Sequence, residues 1–226
     1  MASLRVPNSK QLQAFRKRLL SWFERHGRRY HWREPGTTLY EQVVSELLLQ
    51  RTRAEAVATH LPAVLTVAPG WQELANAKVE ELARTLKPLG LWQRRTSSLQ
   101  QLAAAVTGLG GALPATRVEL EQLPGVGQYM ASAILVIHGA APAPYLDVNM
   151  ARVLERHYGP RRLADIRYDP ELQRVAHRVT SCRRSQLVNW AILDLAALVC
   201  KLGKPNCTAC PLKRSCDYHR SARSNE

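Results

Sequence analysis

Four of the five cysteines lie in the stretch CKLGKPNCTACPLKRSC near the end of the chain, and no other feature of the sequence constrains the local fold as strongly. They are Cys200, Cys207, Cys210 and Cys216, in the pattern C-x6-C-x2-C-x5-C. In a reducing compartment, cysteines this close together indicate metal-bound thiolates rather than disulfides. Structural zinc sites usually contain two short cysteine pairs, whereas only Cys207 and Cys210 form one here, and iron–sulfur clusters also take four thiolates. The spacing therefore predicts a metal site and leaves zinc and iron open.

Apolar residues recur with the period of an α-helix in almost every segment, and β-branched runs bounded by turns are scarce. The sequence therefore predicts an all-α protein whose helices are separated by Gly- and Pro-rich turns. The predicted helices are 9–26, 39–60, 71–86, 94–107, 116–122, 128–138, 148–157, 170–178 and 185–199.

The charge balance indicates the class of partner. Among 226 residues there are 32 Lys and Arg against 18 Asp and Glu, a formal net charge of +14. This excess favours a polyanion, with nucleic acid as the first candidate and an anionic membrane surface as the second. No apolar run approaches the length of a transmembrane helix, and MASLRVPNSKQLQAF lacks the apolar centre of a signal peptide. We therefore expect a reducing intracellular compartment.

The stretch LPGVGQY, residues 123–129, places turn residues directly before an apolar helix. Gly125 and Gly127 can adopt backbone angles closed to other residues, so the chain can bend tightly between two helices. Such a hairpin directs backbone N–H groups and the positive end of a helix outward, which suits a DNA phosphate. Taken alone, however, LPGVG is more typical of an ordinary turn, and Asp147, after the loop GAAPAP, is most simply a helix N-cap.

The hairpin, the Gly/Pro loop, Asp147 and the cysteine stretch follow one another along the chain, and together they resemble the helix-hairpin-helix DNA glycosylases that carry a 4Fe–4S cluster. The resemblance runs from HWREP near residue 31 to Cys216, and the cysteine spacing is its most specific element. It implies an all-α, endonuclease III-like fold. A six-helix domain with the helix-hairpin-helix would span residues 31–141, and a helical domain of residues 1–30 and 142–226 would carry the cluster loop.

The resemblance also implies the cofactor and the partner. The cofactor would be a 4Fe–4S cluster bound by the four cysteines named above. The partner would be double-stranded DNA with a mismatched or damaged base, bound by a monomer associated with the nucleoid in the cytoplasm. The activity would belong to base excision repair.

Three residues match catalytic positions of these glycosylases. Asp147 matches the essential aspartate, whose carboxylate can stabilise the oxocarbenium-like sugar that forms when the base leaves. Tyr129 occupies the position where bifunctional relatives such as endonuclease III carry a lysine that forms a Schiff base and then nicks the strand. Because a phenol cannot form that imine, we expect a monofunctional glycosylase. Glu46, in SELLLQRT, matches the general acid of the MutY adenine glycosylases.

Further residues match DNA contacts of the family. Gln50 matches the residue that fills the gap left in the duplex by the flipped base, with Arg51 beside it. Leu91, in LGLWQRR, lies where relatives insert a wedge side chain. The predicted contacts in the hairpin are Leu123, Gly125, Val126 and Gly127.

The substrate is predicted from smaller differences between two subfamilies. The pair Gln50–Arg51 is intermediate between the QQ of MutY sequences and the RR of Mig-type thymine mismatch glycosylases. GLWQRR lacks a tyrosine usual in MutY, CDYHR is similar to Mig, and only ten residues follow Cys216, so we expect no MutY-type C-terminal domain. These features favour removal of thymine or uracil opposite guanine. The alternatives are a MutY-like adenine glycosylase and a non-catalytic iron–sulfur DNA-binding module.

Overall fold

The computed structural model describes the backbone of residues 4–224 and the side chains of residues 4–222. Regular structure in this range is helical, which confirms the predicted all-α class. Among these residues, none of the helices combines the length and the apolar character that crossing a bilayer requires. The helices are α1 Ser9–His26, α2 Leu39–Leu49, α3 Ala54–Val67, α4 Trp71–Asn76, α5 Val79–Leu86, α6 Trp92–Gly108, α7 Arg117–Glu121, α8 Gln128–Ile137, α9 Val148–Tyr158, α10 Pro170–Thr180, α11 Ser185–Leu198 and α12 Asp217–Ser224, with 3-10 turns at His31–Arg33, Lys87–Leu89, Cys207–Ala209 and Lys213–Ser215.

The chain forms two compact units. The central unit is Arg29–Ala140, and the discontinuous unit combines Met1–Arg28 with Ala141–Glu226. Helices α2 to α8 therefore belong to the central unit, and α1 and α9 to α12 belong to the discontinuous unit.

The core of the central unit is made by the apolar faces of its longer helices. Val43 and Val44 on α2, Leu61 on α3, Leu102 on α6 and Ile134 on α8 are all fully buried. Burial of side chains of this size contributes about 1.5–3 kcal/mol each. Because α2 packs against α8 in this core, residues on the two helices that are distant in sequence become neighbours.

In the discontinuous unit, α11 packs against both α1 and α9. Its Asp194 is fully buried and accepts hydrogen bonds from the main-chain N–H of Arg28 at 2.7 Å and from Arg28 Nε at 2.9 Å. A buried carboxylate needs such a partner, so this pair fixes the end of the α1 segment against α11. Helix α12 packs against α9.

Two of the predicted helices are interrupted. The helix predicted over residues 39–60 ends at Leu49 and resumes at Ala54, with Arg51 between them in the left-handed region at φ 58°. The helix predicted over 71–86 breaks at Ala77, whose carbonyl accepts a hydrogen bond from Gln100 Nε2 at 2.8 Å. Both predictions were wrong. Buried apolar residues keep the helical period across each break, so the periodicity of the sequence does not indicate that the helix ends there. Helix α12 was not predicted, since DYHRSARS contains few apolar residues.

Candidate active-site residues

Glu46 and Tyr129 are brought together in the central unit. Glu46 lies on α2 with only 4% of its surface exposed. Tyr129 lies in the first turn of α8, and its hydroxyl donates a hydrogen bond to Glu46 Oε2 at 2.9 Å. A buried carboxylate is stable only with such donors, and this one ties its orientation to the start of α8. The pair joins residues 83 positions apart in the sequence.

The helix-hairpin-helix consists of α7, the turn at Leu123–Gly127 and α8. Gly125 has φ 75°, and a Cβ there would meet only Ser98 at 4.0 Å, so backbone conformation rather than space requires a glycine. Gly127 is the N-cap of α8 and offers no side chain to the N–H groups of the first turn. The side chain of Val126 is buried, so Val126 contributes to the core of the hairpin.

Arg117 holds the two helices of the hairpin together. Its guanidinium donates to the carbonyl of Gln128 at 3.4 Å and to Ser132 Oγ at 2.8 Å. These hydrogen bonds link α7 to the start of α8, so they fix the orientation of the first N–H groups of α8 relative to the turn.

Four of the seven predicted DNA contacts line one cavity of about 230 Å³ in the central unit. Gln50, Arg51, Leu91 and Gly125 all lie on its wall, although they come from three separate turns. Leu91 is 55% exposed and has φ 50°, and Arg51 has φ 58°. Non-glycine residues are uncommon in this left-handed region, and they cluster at functional sites. The side chain of Leu91 is thus both exposed and held by a strained turn, as a wedge requires.

Arg95 is a further residue of this cavity that the sequence analysis did not single out. It is only 8% exposed, and its guanidinium donates to the carbonyls of Leu48 at 3.1 Å, Gln50 at 2.8 Å and Gly90 at 3.0 Å, and to Thr52 Oγ1 at 2.5 Å. The last carbonyl groups of a helix have no hydrogen-bond donor within the helix, and at the end of α2 the guanidinium of Arg95 donates to them. Burial lowers the pKa of Arg95. Arg95 therefore connects the turn that carries Gln50 to the turn that carries Leu91.

Asp147, in the discontinuous unit, is the N-cap of α9. Its Oδ1 accepts hydrogen bonds from the N–H groups of Asn149 at 3.0 Å and Met150 at 2.8 Å, and its Oδ2 accepts one from Asn149 Nδ2 at 2.6 Å. The interpretation of Asp147 as a helix cap is therefore confirmed. Burial raises the pKa of the Asp147 carboxyl, against the opposing effect of these hydrogen bonds and of Arg152. The carboxylate is held in one orientation by its own helix.

The Pro-rich loop before Asp147 is fastened by Asn189 of α11, which is fully buried. Asn189 Nδ2 donates to the carbonyl of Ala143 at 2.9 Å, and its Oδ1 accepts from the N–H of Tyr145 at 2.8 Å. These bonds fix the chain two residues before Asp147. The sequence analysis missed Asn189, whose signal is an amide within the otherwise apolar face of SQLVNWAILDLAAL.

The four cysteines of the predicted metal site line one small cavity in the discontinuous unit, and none of them forms a disulfide. Arg156, which also lines this cavity, donates from Nη1 to Cys200 Sγ at 3.4 Å, and its guanidinium lies 4.9 Å from the centre of the Tyr218 ring. Arg152 donates to the carbonyl of Cys200 at 2.9 Å. One arginine thus donates to a cysteine sulfur, and a second donates to the main chain of the same cysteine.

The donor set fits the predicted cofactor. Four cysteines surround one cavity, and Arg156 donates to the sulfur of one of them, which suits the negative charge of an iron–sulfur cluster. Within residues 4–222, no three His, Cys, Asp or Glu side chains are arranged to hold one metal ion. The 4Fe–4S cluster stays a prediction.

The predicted site residues thus fall into two groups. The central unit holds Glu46, Tyr129 and the predicted DNA contacts, and the discontinuous unit holds Asp147 and the four cysteines. Within the central unit, the Glu46–Tyr129 pair and the cavity lined by Gln50 and Leu91 are both organised by α2 and the turn that follows it.

Comparison with known proteins gives one family. The family model "HhH-GPD superfamily base excision DNA repair protein" matches residues 44–186. A thymine-DNA glycosylase of Aeropyrum pernix is 32% identical over 93% of this chain and 96% of its own length. A thymine/uracil-DNA glycosylase of Pyrobaculum aerophilum is 33% identical over 94% of both chains.

Two further matches concern the subfamily and the fold. An adenine DNA glycosylase of Rattus norvegicus is 33% identical over 92% of this chain but only 42% of its own length. Among solved structures, a thermostable thymine-DNA glycosylase superposes with a TM-score of 0.86 at 25% identity, covering 94% of this chain and 98% of that one.

Proposed function

The chain belongs to the HhH-GPD superfamily of base excision DNA repair proteins, and we propose that it hydrolyses the N-glycosidic bond of thymine or uracil opposite guanine. The observation that carries the proposal is the hydrogen bond between the hydroxyl of Tyr129 and the buried carboxyl group of Glu46. Tyr129 lies directly after the turn of the helix-hairpin-helix. Similarity to thymine and thymine/uracil glycosylases over nearly the full length of both chains supports the choice of base.

In the proposed reaction, the target base first leaves the helical stack. The gap is filled by Gln50 and Leu91, and the cost of extrusion is lower for a poorly paired base, which favours mismatches. The N–H groups of Leu123 and Val126 already donate to carbonyls of the hairpin, so the N–H groups of Gly125 and Gly127, together with the charge of Arg51, hold the phosphate backbone. These contacts position the duplex and read no sequence.

Thymine and uracil leave the sugar as anions, so donors near their carbonyl oxygens lower the barrier. We assign this role to the Glu46–Tyr129 pair in the state in which the Glu46 carboxyl is protonated. Its Oε2 accepts the hydrogen bond of the Tyr129 hydroxyl, and the carboxyl proton is donated to the leaving base. The Asp147 carboxylate acts on the sugar, where it stabilises the developing positive charge and orients the attacking water. Hydrogen bonds from Asn149 and Met150 aim that carboxylate without neutralising it.

The product is an abasic site in an intact strand. Strand cleavage by bifunctional relatives needs an amine that condenses with the sugar, and the phenol of Tyr129 has no such chemistry. The substitution Tyr129→Lys should therefore introduce nicking without alkali and a covalent adduct that borohydride traps. Tyr129→Met, similar in reach but without an amine, is the matched control and should give neither.

Cys200, Cys207, Cys210 and Cys216 are the residues that would hold a 4Fe–4S cluster. When bound, the cluster would cross-link the loop that carries Lys201 and Lys204 and would take no part in base release. Purified protein should absorb visible light and contain iron and acid-labile sulfide. Colourless protein that contains zinc would overturn this assignment.

The decisive test of the activity is base release from end-labelled duplexes containing T·G, U·G, A·G and A·8-oxoguanine pairs, with a T·A duplex as control. Each is treated with and without hot alkali. We expect the T·G and U·G strands to break only after alkali. Release of adenine instead would assign the chain to the adenine branch, where the buried Glu46 would protonate the base. Tight binding without release from any duplex would indicate a non-catalytic module.

A further inference from the structure

A cavity of about 370 Å³ lies within the discontinuous unit, and the proposed glycosylase reaction does not use it. Its wall is formed by the start of the chain and α1, by the end of α9, and by residues near α12. The described lining residues include no carboxylate. Five of them carry cationic side chains: Arg5, Lys10, Arg18, Arg214 and Arg220.

The positive charge at this cavity is only partly balanced. Asp217 is shared by two of the arginines, since its Oδ2 lies 2.5 Å from Arg5 Nη2 and its Oδ1 pairs with Arg220. Arg18 donates to a neutral group, Ser215 Oγ, at 3.4 Å. Among the described residues, no carboxylate forms an ion pair with Lys10, Arg18 or Arg214, so an anion would be strongly attracted.

Two buried polar groups lie on the wall of the same cavity. His157 and Tyr158 are 4% and 5% exposed. Among the described residues, neither His157 Nδ1 nor the Tyr158 hydroxyl has a hydrogen-bond partner. Buried polar atoms almost always have partners, so both groups retain hydrogen-bonding capacity for a molecule that binds at this wall. Burial, with smaller contributions from Arg5, Arg18 and Arg220 and against the effect of Asp217, lowers the pKa of His157 to about 4, which keeps the imidazole neutral.

We propose that this cavity binds a small anion with two or three phosphate groups, contacted by the surrounding guanidinium groups and by the Tyr158 hydroxyl and His157 Nδ1. Guanidinium groups bind phosphate oxygens in pairs, and the cations that Asp217 does not neutralise match the charge of a di- or triphosphate. The volume falls in the range of about 300–1,000 Å³ that is typical of small-molecule sites. A DNA backbone is a poorer match, because buried groups in a concave site are reached by a terminal phosphate and not by a continuous strand.

Isothermal titration of the full chain, with its metal site loaded, tests the proposal with inorganic pyrophosphate and tripolyphosphate as probes and sulfate as control. The variant Lys10→Ala/Arg18→Ala removes two lining cations, and Lys17→Ala/Arg25→Ala removes two exposed cations of the same helix that do not line the cavity. We expect the first pair to weaken pyrophosphate binding at least about 10-fold and the second less than about 2-fold. Tyr158→Phe, which removes only the hydroxyl, should weaken it about 5-fold.

The outcomes are distinct. Equal weakening by both double variants, or no binding of pyrophosphate to the unmodified chain, would overturn the proposal. So would competition between pyrophosphate and duplex DNA together with loss of DNA binding in Lys10→Ala/Arg18→Ala, since the cavity would then bind DNA phosphates. Unchanged base release by Lys10→Ala/Arg18→Ala, with weakened pyrophosphate binding, supports the proposal.

Discussion

The two carboxylates of the proposed reaction are held in different ways. Asp147 accepts hydrogen bonds from main-chain N–H groups two and three residues further along its own helix. Glu46 lies in the middle of α2, and its bond comes from Tyr129 on another helix, 83 residues away. A carboxylate fixed by its own backbone keeps its place whenever the helix forms. A carboxylate fixed by tertiary contacts depends on the packing of α2 against α8 and on the end of α2 that Arg95 holds.

The largest expected effect separates charge from position at Asp147. Asparagine caps helices as well as aspartate does, so Asp147→Asn should leave stability nearly unchanged while base release slows by about 10²–10³-fold. Single-turnover base release and urea denaturation measure the two effects. Asp147→Ala is the control, and loss of the cap should lower its stability by about 1 kcal/mol. Full activity in Asp147→Asn would remove Asp147 from the reaction.

The second prediction concerns the long-range support of α2. Arg95→Ala leaves several buried carbonyls without a donor and should cost about 3 kcal/mol of the free energy of unfolding. Arg94→Ala, which removes the exposed neighbour on the wall of the same cavity, is the matched control and should cost less than about 0.5 kcal/mol. Urea denaturation followed by circular dichroism compares them. Similar stability in both variants would mean that water replaces the guanidinium of Arg95.

A smaller effect is expected at the partner of Glu46. Tyr129→Phe keeps the ring and removes the hydroxyl, so Glu46 loses the hydrogen bond that orients it. We expect base release to slow about 10-fold and stability to fall by about 1 kcal/mol. The double variant Tyr129→Phe/Glu46→Gln should be no slower than Glu46→Gln alone. Additive losses would show that the two side chains act separately.

The smallest effect is a dependence of stability on pH. Because burial raises the pKa of Asp147, the folded chain binds this proton more tightly than the unfolded chain does. The stability contributed by this group is therefore fully present below the unfolded pKa and is lost as the pH rises through the folded value. Asp147→Asn lacks this loss and should therefore be slightly more stable than the unmodified chain at pH 7. The difference should shrink as the pH is lowered through this window, and a difference that grows would contradict the raised pKa.

The same contrast explains what the sequence could predict. The start of α9 at Asp147 follows from a cap and a Pro-rich loop, which are local signals, and the predicted start is correct. The all-helical class follows from periodicity along the chain. The break after Leu49 does not follow from periodicity. It depends on the left-handed backbone of Arg51 and on Arg95, which lies 46 positions beyond the end of α2.

The candidate site divides in the same way. Glu46 and Tyr129 were each predicted as site residues, but their hydrogen bond was not. It results from the packing of α2 against α8, and the sequence around either residue contains no signal of that packing. Arg95 and Asn189 were missed because their role is to satisfy main-chain groups of distant turns. A single polar residue inside an apolar face is the only signal that such residues leave in a sequence.

The discontinuous unit has a consequence for synthesis of the chain on the ribosome. Helix α1 is made long before α11, against which it packs and which ends at Leu198. At about 5–20 residues per second, roughly ten to thirty seconds pass before that partner exists. In this interval the central unit, which is contiguous in sequence, has all its residues and can fold alone. The apolar face of α1, with Phe15 and Leu19, meanwhile remains without its native cover, so chains that stop before α11 should depend on chaperones and be degraded quickly.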